Sequence, residues 1–407
     1  MNNDCFCVDR GRIYTYSALL HDINASRVYH PGRLYADLGG YFRNLILALI
    51  YNRPITLLDA DLSVEELIGL GVTESGDVPL EVVRSWNSMG EVIRAVQNST
   101  AEIVLFTSGT TGQPKKVVHT ASSFLRSVRY KEGAEKHVWG YAYNPTHMAG
   151  LQVFFQVLCN GSMLVDLFKC ARTEIYELIN LYGITHISAT PTFYRLLLPV
   201  GQSCPSVVRV TFGGEKSGEK LYREIMRIFP NAKINNIYAS TEAGALFSSR
   251  NDAFHIPEQI RDKIRVEEGE LLIHRSLLGK SSTFLFAGDF YHTGDLIEWV
   301  DREKRLFRFV SRKNELINVG GYKINPNEIE EQIRQLPTIQ NCIVYGKANS
   351  VLGNILCADV ELVGGVELDE ADLRVWLGNR LQAFKVPRRI RFVDHMELTK
   401  TGKLKRI

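Results

Sequence analysis

No segment of the sequence is apolar over the roughly 20 residues that a membrane-spanning helix needs. The opening "MNNDCFCVDRGRIYTY" also lacks the apolar core of a signal peptide. Charge of one sign is equally scarce, since 48 basic and 45 acidic residues leave a formal net charge of +3. So mild a balance argues against nucleic acid as a partner, although a local basic patch can still serve an anionic substrate. The seven cysteines include no CxxC pair and no metal-ligand spacing. Cys5 and Cys7 read as alternate faces of one strand, and Cys159, Cys170, Cys204, Cys342 and Cys357 as small buried hydrophobes. With no membrane segment and no disulfide framework, a reducing cytoplasm fits best. Repeats and low-complexity segments are absent too.

What is present is a chain of 407 residues, 45% hydrophobic and 23% charged, long enough for two domains with a sizeable core. Up to about Trp299, short apolar strands alternate with helical stretches, the pattern of α/β architecture. "EIVLFT" (102–107), "THISAT" (185–190), "VVRVTFGG" (207–214) and "KINNIYAS" (233–240) read as strands, the last following the helix "GEKLYREIMRIF". Ligand loops in such folds lie beyond the carboxyl ends of strands, so these loops are expected to converge on one crevice. The last hundred residues change pattern. "LIEWVDREKRLFRFVSR" reads as a hairpin around Asp301–Lys304. Asn325, Pro326 and Glu328 form an N-cap, first helical position and capping box. The strands "NCIVYG" and "ILCADVELV" follow, then a helix from about Glu370 to Leu381. This compact α+β unit sets a boundary near Arg312–Asn314, dividing the chain into a large domain, 1–312, and a small one, 313–407.

The stretch "FTSGTTGQPKK", Phe106 to Lys116, places three Thr, one Ser and two Gly directly after an apolar strand. A Walker loop needs GxxxxGK[ST], and counting from Gly109 the sixth residue is Pro114, so that reading fails. What remains is a hydroxyl- and amide-rich loop ending in a cation, able to wrap the outer phosphates of ATP.

"TSGTTGQPKKV" closely resembles the signature of the adenylate-forming superfamily of AMP-dependent synthetases and ligases. That superfamily takes in acyl- and aryl-CoA ligases, luciferases and the adenylation domains of peptide synthetases. "YASTEAG" (238–244), "YHTGDL" (291–296), "SRKNELINVGGYKINPNEIE" (311–330) and "TKTGKLKR" (399–406) resemble its later motifs, in their expected order. The resemblance implies a large N-terminal α/β domain of layered sheets and helices, with a trimmed N-terminal subdomain. It also implies a small mobile α+β C-terminal domain that rotates about a hinge near Asn314.

The resemblance further implies residue roles. Thr107, Ser108, Gly109, Thr110, Thr111, Gly112 and Lys115 would hold the β- and γ-phosphates of ATP, with Lys116 a solvated neighbour. Tyr238 resembles the ring that stacks on adenine, Thr241 the hydroxyl at the α-phosphate, and Glu242 the carboxylate that holds Mg²⁺. Gly214 and Glu215 in "GGE" would line adenine and the acyl pocket, with Asn236 a further adenine contact. Asp295 and Arg312 resemble the pair that binds the ribose diol. His147 in "YNPTHMAGL" resembles a gate to the acyl pocket. Lys403 in "TKTGK" resembles the lysine that bridges carboxylate and α-phosphate as a point charge. Gly320 and Gly321 resemble the loop that approaches the pantetheine thiol, and Lys323 helps position that loop or is a surface residue. Two departures stand out: Ala239 where the family usually has Gly, and Asn314 where it has Asp or Lys.

The expected function is an ATP-dependent acid–thiol ligase. It would activate an aryl or medium-acyl carboxylic acid as acyl-AMP, release pyrophosphate, and pass the acyl group to CoA. "YNPTHMAGLQ" lacks the Asp that amino-acid-activating members carry near its start, which disfavours an amino-acid substrate. "THMAGLQVFFQVL" and "THISATPTFYRLL" look more like aryl- and acyl-CoA ligases, including the o-succinylbenzoate type. Two rivals remain open: an enzyme that loads a carrier-protein phosphopantetheine, and a non-catalytic adenylate-binding protein.

Overall fold

The structure, a computed structural model, describes residues 4–59, 62–72, 76–81, 85–107, 115–215, 217–319, 322–349, 353–399 and 403–405. Its largest sheet has eight strands. In spatial order they are Gly244–Ser249, Lys233–Ser240, Arg209–Gly213, His186–Ala189, Val138–Tyr141, Met163–Asp166, Cys5–Asp9 and Arg12–Thr15. The inner pairings are parallel and the two edge pairings antiparallel. Parallel strands covered on both faces need apolar side chains on each. On one face Ile187, Ala189, Val210 and Phe212 pack against helices Arg172–Tyr182, Pro191–Leu196 and Glu219–Ile228. On the other, Tyr141, Tyr143 and Leu164 meet the helix Met148–Asn160, which buries Leu151, Phe154, Phe155 and Leu158.

That helix touches Val138–Tyr141, Met163–Asp166 and, at the far side, Gly244–Ser249. The strands between carry small or polar residues on the face beneath it. Trp139 is in register with His186 and His186 with Arg209, while Tyr141 is in register with Ser188 and Ser188 with Thr211. Space for a ligand therefore lies under the helix.

A second sheet, Gly32–Leu34, Ile55–Leu58, Ile103–Thr107 and Lys115–His119, shares the core of Tyr141 through the helix Leu38–Ile50. The sequence "LGGYFRNLILALI" is apolar nearly all round, as a helix buried between layers must be.

The α/β alternation does not run on to Trp299. After Ser240 the chain builds antiparallel strands. Ala253–His255, Leu306–Arg312, Phe290–Asp301, Glu270–His274 and Ile264–Glu267 lie side by side in that order, with Phe286–Ala287 against Phe290–Asp301. The link Glu268–Gly269 is too short for a helical crossover and turns with both φ values positive, at 49° and 80°.

From Ile317 on, the chain forms its own core around Ile329, Ile333, Val344, Leu356, Leu373 and Leu377. Ile339–Asn349 pairs antiparallel with Gly353–Leu362, which pairs parallel with Arg389–Val393. Asn325 caps the helix Pro326–Arg334, accepting from the Asn327 N–H at 3.0 Å. The capping box does not form, because the Glu328 carboxylate is taken by Lys385 at 2.7 and 2.9 Å. The last helix spans Glu370–Gly378 and stops short of Leu381.

Residues two apart in a strand normally share a face. A register shift between Cys5 and Cys7 turns these two thiols into different cores. Cys159 and Cys170 are only partly buried, unlike Cys204, Cys342 and Cys357. Among the described residues no helix is long and apolar enough to cross a membrane.

Candidate active site

The loops after strands His186–Ala189, Arg209–Gly213 and Lys233–Ser240 open onto one cleft of about 3020 Å³. It is walled by the antiparallel sheet on one side and by the C-terminal unit on another. Thr107 and Lys115 face each other in register at the mouth of their hairpin, and Lys115 lines the cleft. Ser108, Gly109, Thr110, Thr111 and Gly112, between them, lie outside the described residues.

The turn Thr241–Ala243 is held through its three consecutive carbonyls, each accepting from a donor in a different part of the chain. His119 Nε2 donates to the Thr241 oxygen at 2.7 Å, the Gly279 N–H donates to Glu242 at 2.8 Å, and Arg126 donates to Ala243. A carbonyl only accepts, so Nε2 of His119 carries the proton. Burial pushes this imidazole down to about 4, with Arg126 adding to the fall and the Thr241 bond opposing it. The ring is therefore neutral, with that single N–H. Gly279 packs on it so closely that a Cβ would stand 2.5 Å from Cε1. With its backbone fixed, the Glu242 side chain lines the cleft and has no hydrogen-bond or ion-pair partner among the described residues. That fits a hard divalent ion, which takes oxygen ligands. Among the described residues no three His, Cys, Asp or Glu cluster as a metal site, so Glu242 would share the ion with substrate oxygens.

Asp295 and Arg312 stand opposite each other on two antiparallel strands. Arg312 Nε donates to Asp295 Oδ1 at 2.8 Å, and the Tyr238 hydroxyl donates to Oδ2 at 2.6 Å. The buried Asp295 carboxylate thus has a partner on each oxygen, leaving its remaining lone pairs for a diol. Asp295 holds the Arg312 guanidinium well above the usual arginine range. The Tyr238 ring stacks on Phe309 at 4.4 Å and on Phe247 at 5.6 Å. Burial, then the Asp295 charge, raises its phenol far above the ordinary value. Asn236 lies beside Tyr238, and its amide donates to the Tyr222 hydroxyl at 3.0 Å.

Lys403 reaches the cleft from the C-terminal unit. It is fixed by a narrow hairpin in which Thr399 N–H donates to its carbonyl at 2.6 Å and Thr399 Oγ1 accepts its N–H at 3.2 Å. Its side chain lies over Gly214, where a Cβ would stand 3.2 Å from Lys403 Cε and 3.6 Å from Nζ. Gly214 has φ +82°, the left-handed region that glycine enters without strain. Burial lowers the Lys403 ammonium below the usual lysine value, and Glu215 opposes the fall. No described residue is a hydrogen-bond or ion-pair partner of that ammonium.

Glu215 accepts from Thr192 Oγ1 at 2.8 and 3.0 Å and pairs with Arg195 at 3.4 Å. Arg195 is buried, which lowers it to about 10 against the pull of Glu215. Gln340 donates to the Arg195 carbonyl at 3.1 Å, and Lys220 to the Arg334 and Leu336 carbonyls at 2.8 and 3.0 Å. These contacts dock the C-terminal unit against the helices Pro191–Leu196 and Glu219–Ile228, beside the "GGE" turn.

His147 is the N-cap residue of the helix Met148–Asn160 and lines the cleft, with Nε2 3.8 Å from Asp59 Oδ2. An aspartate thus reaches this segment from a distant strand. Its Oδ1 is taken by Asn144 at 2.6 Å and Thr146 at 2.5 Å. Asn314 sits in the short 3-10 turn Lys313–Glu315 directly after Arg312 and lines the cleft. Gly320 and Gly321 lie outside the described residues, and Lys323 is exposed. Sequence reasoning missed His119, Arg126, Arg195 and Asp59. Of these, only His119 carried a signal, as the inward residue ending the strand after the phosphate loop.

Two family models match the chain: AMP-binding enzyme over residues 55–265, and AMP-binding enzyme C-terminal domain over residues 328–403. A 2-succinylbenzoate–CoA ligase of Staphylococcus aureus (strain MSSA476) is 27% identical over 327 residues, 74% of this chain and 65% of that protein. An uncharacterized acyl-CoA ligase of Bacillus subtilis (strain 168) is 26% identical over 401 residues, 88% of this chain and 75% of that protein. Among solved structures, o-succinylbenzoate CoA synthetase from Bacillus subtilis with an acyl-adenylate matches at TM-score 0.74 and 20% identity, covering 98% of this chain and 94% of that one. ATP-bound MatB from Rhodopseudomonas palustris matches at TM-score 0.74 and 18% identity, covering 99% and 94%. These likenesses establish the adenylate-forming fold, a mixed α/β body with a separate C-terminal unit.

Proposed function

We propose, because this chain belongs to the AMP-binding enzyme family, that it joins a carboxylic acid to AMP and then passes the acyl group to the thiol of CoA. The observation that carries this reading is the placement of Lys403. An ammonium with no partner among the described residues stands over Gly214, in the cleft that Thr241, Glu242, Asp295 and Arg312 line. Relatives named as CoA ligases support CoA as the acceptor, although the match spans only 65% of the length of the 2-succinylbenzoate–CoA ligases.

In the first step a carboxylate oxygen of the acid attacks the α-phosphorus of ATP and the bond to the pyrophosphate oxygen breaks. Both reactants are anionic, so charge neutralisation and alignment supply most of the acceleration. Lys403 follows charge on the incoming carboxylate and the α-phosphate together, as a point charge on a flexible stem can. The Thr241 hydroxyl sits on a turn fixed by His119, so it meets the α-phosphate with little reorganisation. Asp295 receives the ribose diol, while Arg312 and Tyr238 keep that carboxylate oriented. Lys115 and the loop from Thr107 hold the departing pyrophosphate. Mg²⁺ on Glu242 supplies further neutralisation of phosphate charge when bound. In the second step the thiolate attacks the acyl carbonyl and AMP leaves.

We place the domain boundary at Arg312, with 1–312 and 313–407 turning about Asn314 between the two steps. Gly320 and Gly321 then approach the pantetheine.

The test is acid-dependent pyrophosphate release by the whole chain, with hydroxylamine trapping of the acyl-adenylate, followed by thioester formation with CoA or a holo-carrier protein. Release with trapping, and thioester on CoA, is the expected result. Thioester on the carrier alone would move the acceptor to a protein. No release with any of a panel of aryl, fatty and dicarboxylic acids would leave a protein that binds adenylate without catalysis.

A further inference from the structure

The floor of the cleft under the helix Met148–Asn160 is a ladder of cross-strand rows. Tyr143 and Gly213 stand at the chemical end, Ser188 and Thr211 in the middle, and Trp139, His186 and Arg209 at the far end. From Gly213 to Arg209 is four residues of strand, about 13 Å. The roof agrees, since Met148 to Gln156 is eight residues of helix, about 12 Å.

The far end differs in kind from the middle. The Trp139 ring packs on His186 at 4.7 Å, and His186 on His137 at 4.2 Å. The indole N–H of Trp139 is buried without an acceptor among the described residues. Gln156 accepts from the Arg129 N–H at 2.8 Å and donates to its carbonyl at 2.9 Å, pinning the segment that carries Lys131 beside this stack. Neither Lys131 nor Arg209 has an ion-pair partner among the described residues. The charged groups facing the two imidazoles are Lys131, Arg209 and, opposing them at His137, Glu135. Donors and cations therefore dominate, and an uncharged tail would leave the indole N–H unsatisfied.

We infer that the acid activated here carries a second anionic group, about 10–13 Å from the reacting carboxylate, which is received by Arg209, Lys131 and the Trp139 indole. The inference rests on the acid-activating reading above and narrows it to dicarboxylic or otherwise anion-tailed acids. A carboxylate suits the place because it accepts from several donors at once.

Matched acids test this in the pyrophosphate-release assay: decanoate against decanedioate, and biphenyl monocarboxylate against the para,para′-dicarboxylate. The wild-type chain is expected to prefer the diacid of at least one pair by roughly ten- to a hundredfold in kcat/KM, the range of one or two charge-assisted hydrogen bonds. Arg209→Gln is expected to bring that ratio close to one by raising KM for the diacid, with KM for ATP unmoved, and Arg209→Lys to restore part of it. Monoacids used as well as their diacids, or an undiminished preference in Arg209→Gln, would overturn the inference and leave the adenylation reading intact. Release with none of the four acids would count against both.

Discussion

Removing the His119 side chain should slow catalysis without touching any substrate. His119→Ala deletes the N–H that, among the described residues, the Thr241 carbonyl accepts at 2.7 Å, on a ring only 2% exposed. A buried carbonyl left without a donor costs about 1–3 kcal/mol. Felt wholly as misplacement of the Thr241 hydroxyl in the transition state, that slows kcat by about 5- to 150-fold. Felt wholly as fold stability, it leaves kcat alone, so the two outcomes separate. The assay is steady-state pyrophosphate release at saturating acid with ATP varied, beside a thermal melt. A second perturbation reaches the same bond from the other side. Gly279→Ala puts a methyl 2.5 Å from the imidazole Cε1 and displaces the ring rather than deleting it. Both variants break one contact, so the double variant should lose little more than the worse single one. A folded His119→Ala chain with kcat within about twofold of wild type would refute the idea that this ring positions the catalytic turn.

Gly214→Ala should impair pyrophosphate release, because φ +82° is strained for alanine by about 1–2 kcal/mol and the new methyl meets Lys403 Cε at 3.2 Å. Its effect should shrink when tested on a Lys403→Ala background, and equal losses on both backgrounds would argue against that contact. Asp166 should make the fold less stable as pH rises. Burial, with Asp9 beside it, raises its carboxyl from 3.8 to about 7, so the folded chain binds a proton that the unfolded chain has released. Stability is therefore lost from about pH 4, where the unfolded group titrates, to about pH 7, by ~2 kcal/mol between pH 5 and 7. It then levels off. Asp166→Asn keeps the size and the acceptor for the Phe168 N–H at 2.9 Å, so it should flatten that slope and melt higher than wild type at pH 8. A variant with the wild-type slope would show that Asp166 stays ionised.

Five motifs in order made the body of the fold legible, since each pairs a strand end with a loop whose composition is chemical rather than structural. Lys115, Tyr238, Thr241, Glu242, Asp295, Arg312 and Lys403 were singled out for that reason, and all of them line the cleft. The partners that hold them in place were not readable. His119 and Thr241 are 122 positions apart and meet through a backbone carbonyl, a group every residue carries, so no side-chain pattern marks the acceptor. Asp59 reaches His147 from another sheet, and Lys385 takes the carboxylate that local spacing assigns to a capping box. Local rules name what a residue prefers nearby, and tertiary packing offers a competing partner. The antiparallel run after Ser240 escaped for a related reason. Short strands joined by tight turns and strands joined by helices look alike until connection lengths are weighed. The distal row of Trp139, His186 and Arg209 becomes a group only once the strands are in register.

Lys403→Ala bears most directly on the central claim that this cleft makes an acyl-adenylate. The side chain has no partner among the described residues to orphan, so the variant should fold normally and bind ATP with little change. Acid-dependent pyrophosphate release should fall by orders of magnitude, along with the hydroxylamine-trapped adenylate. Release and trapping at the wild-type rate in that variant would contradict the mechanism.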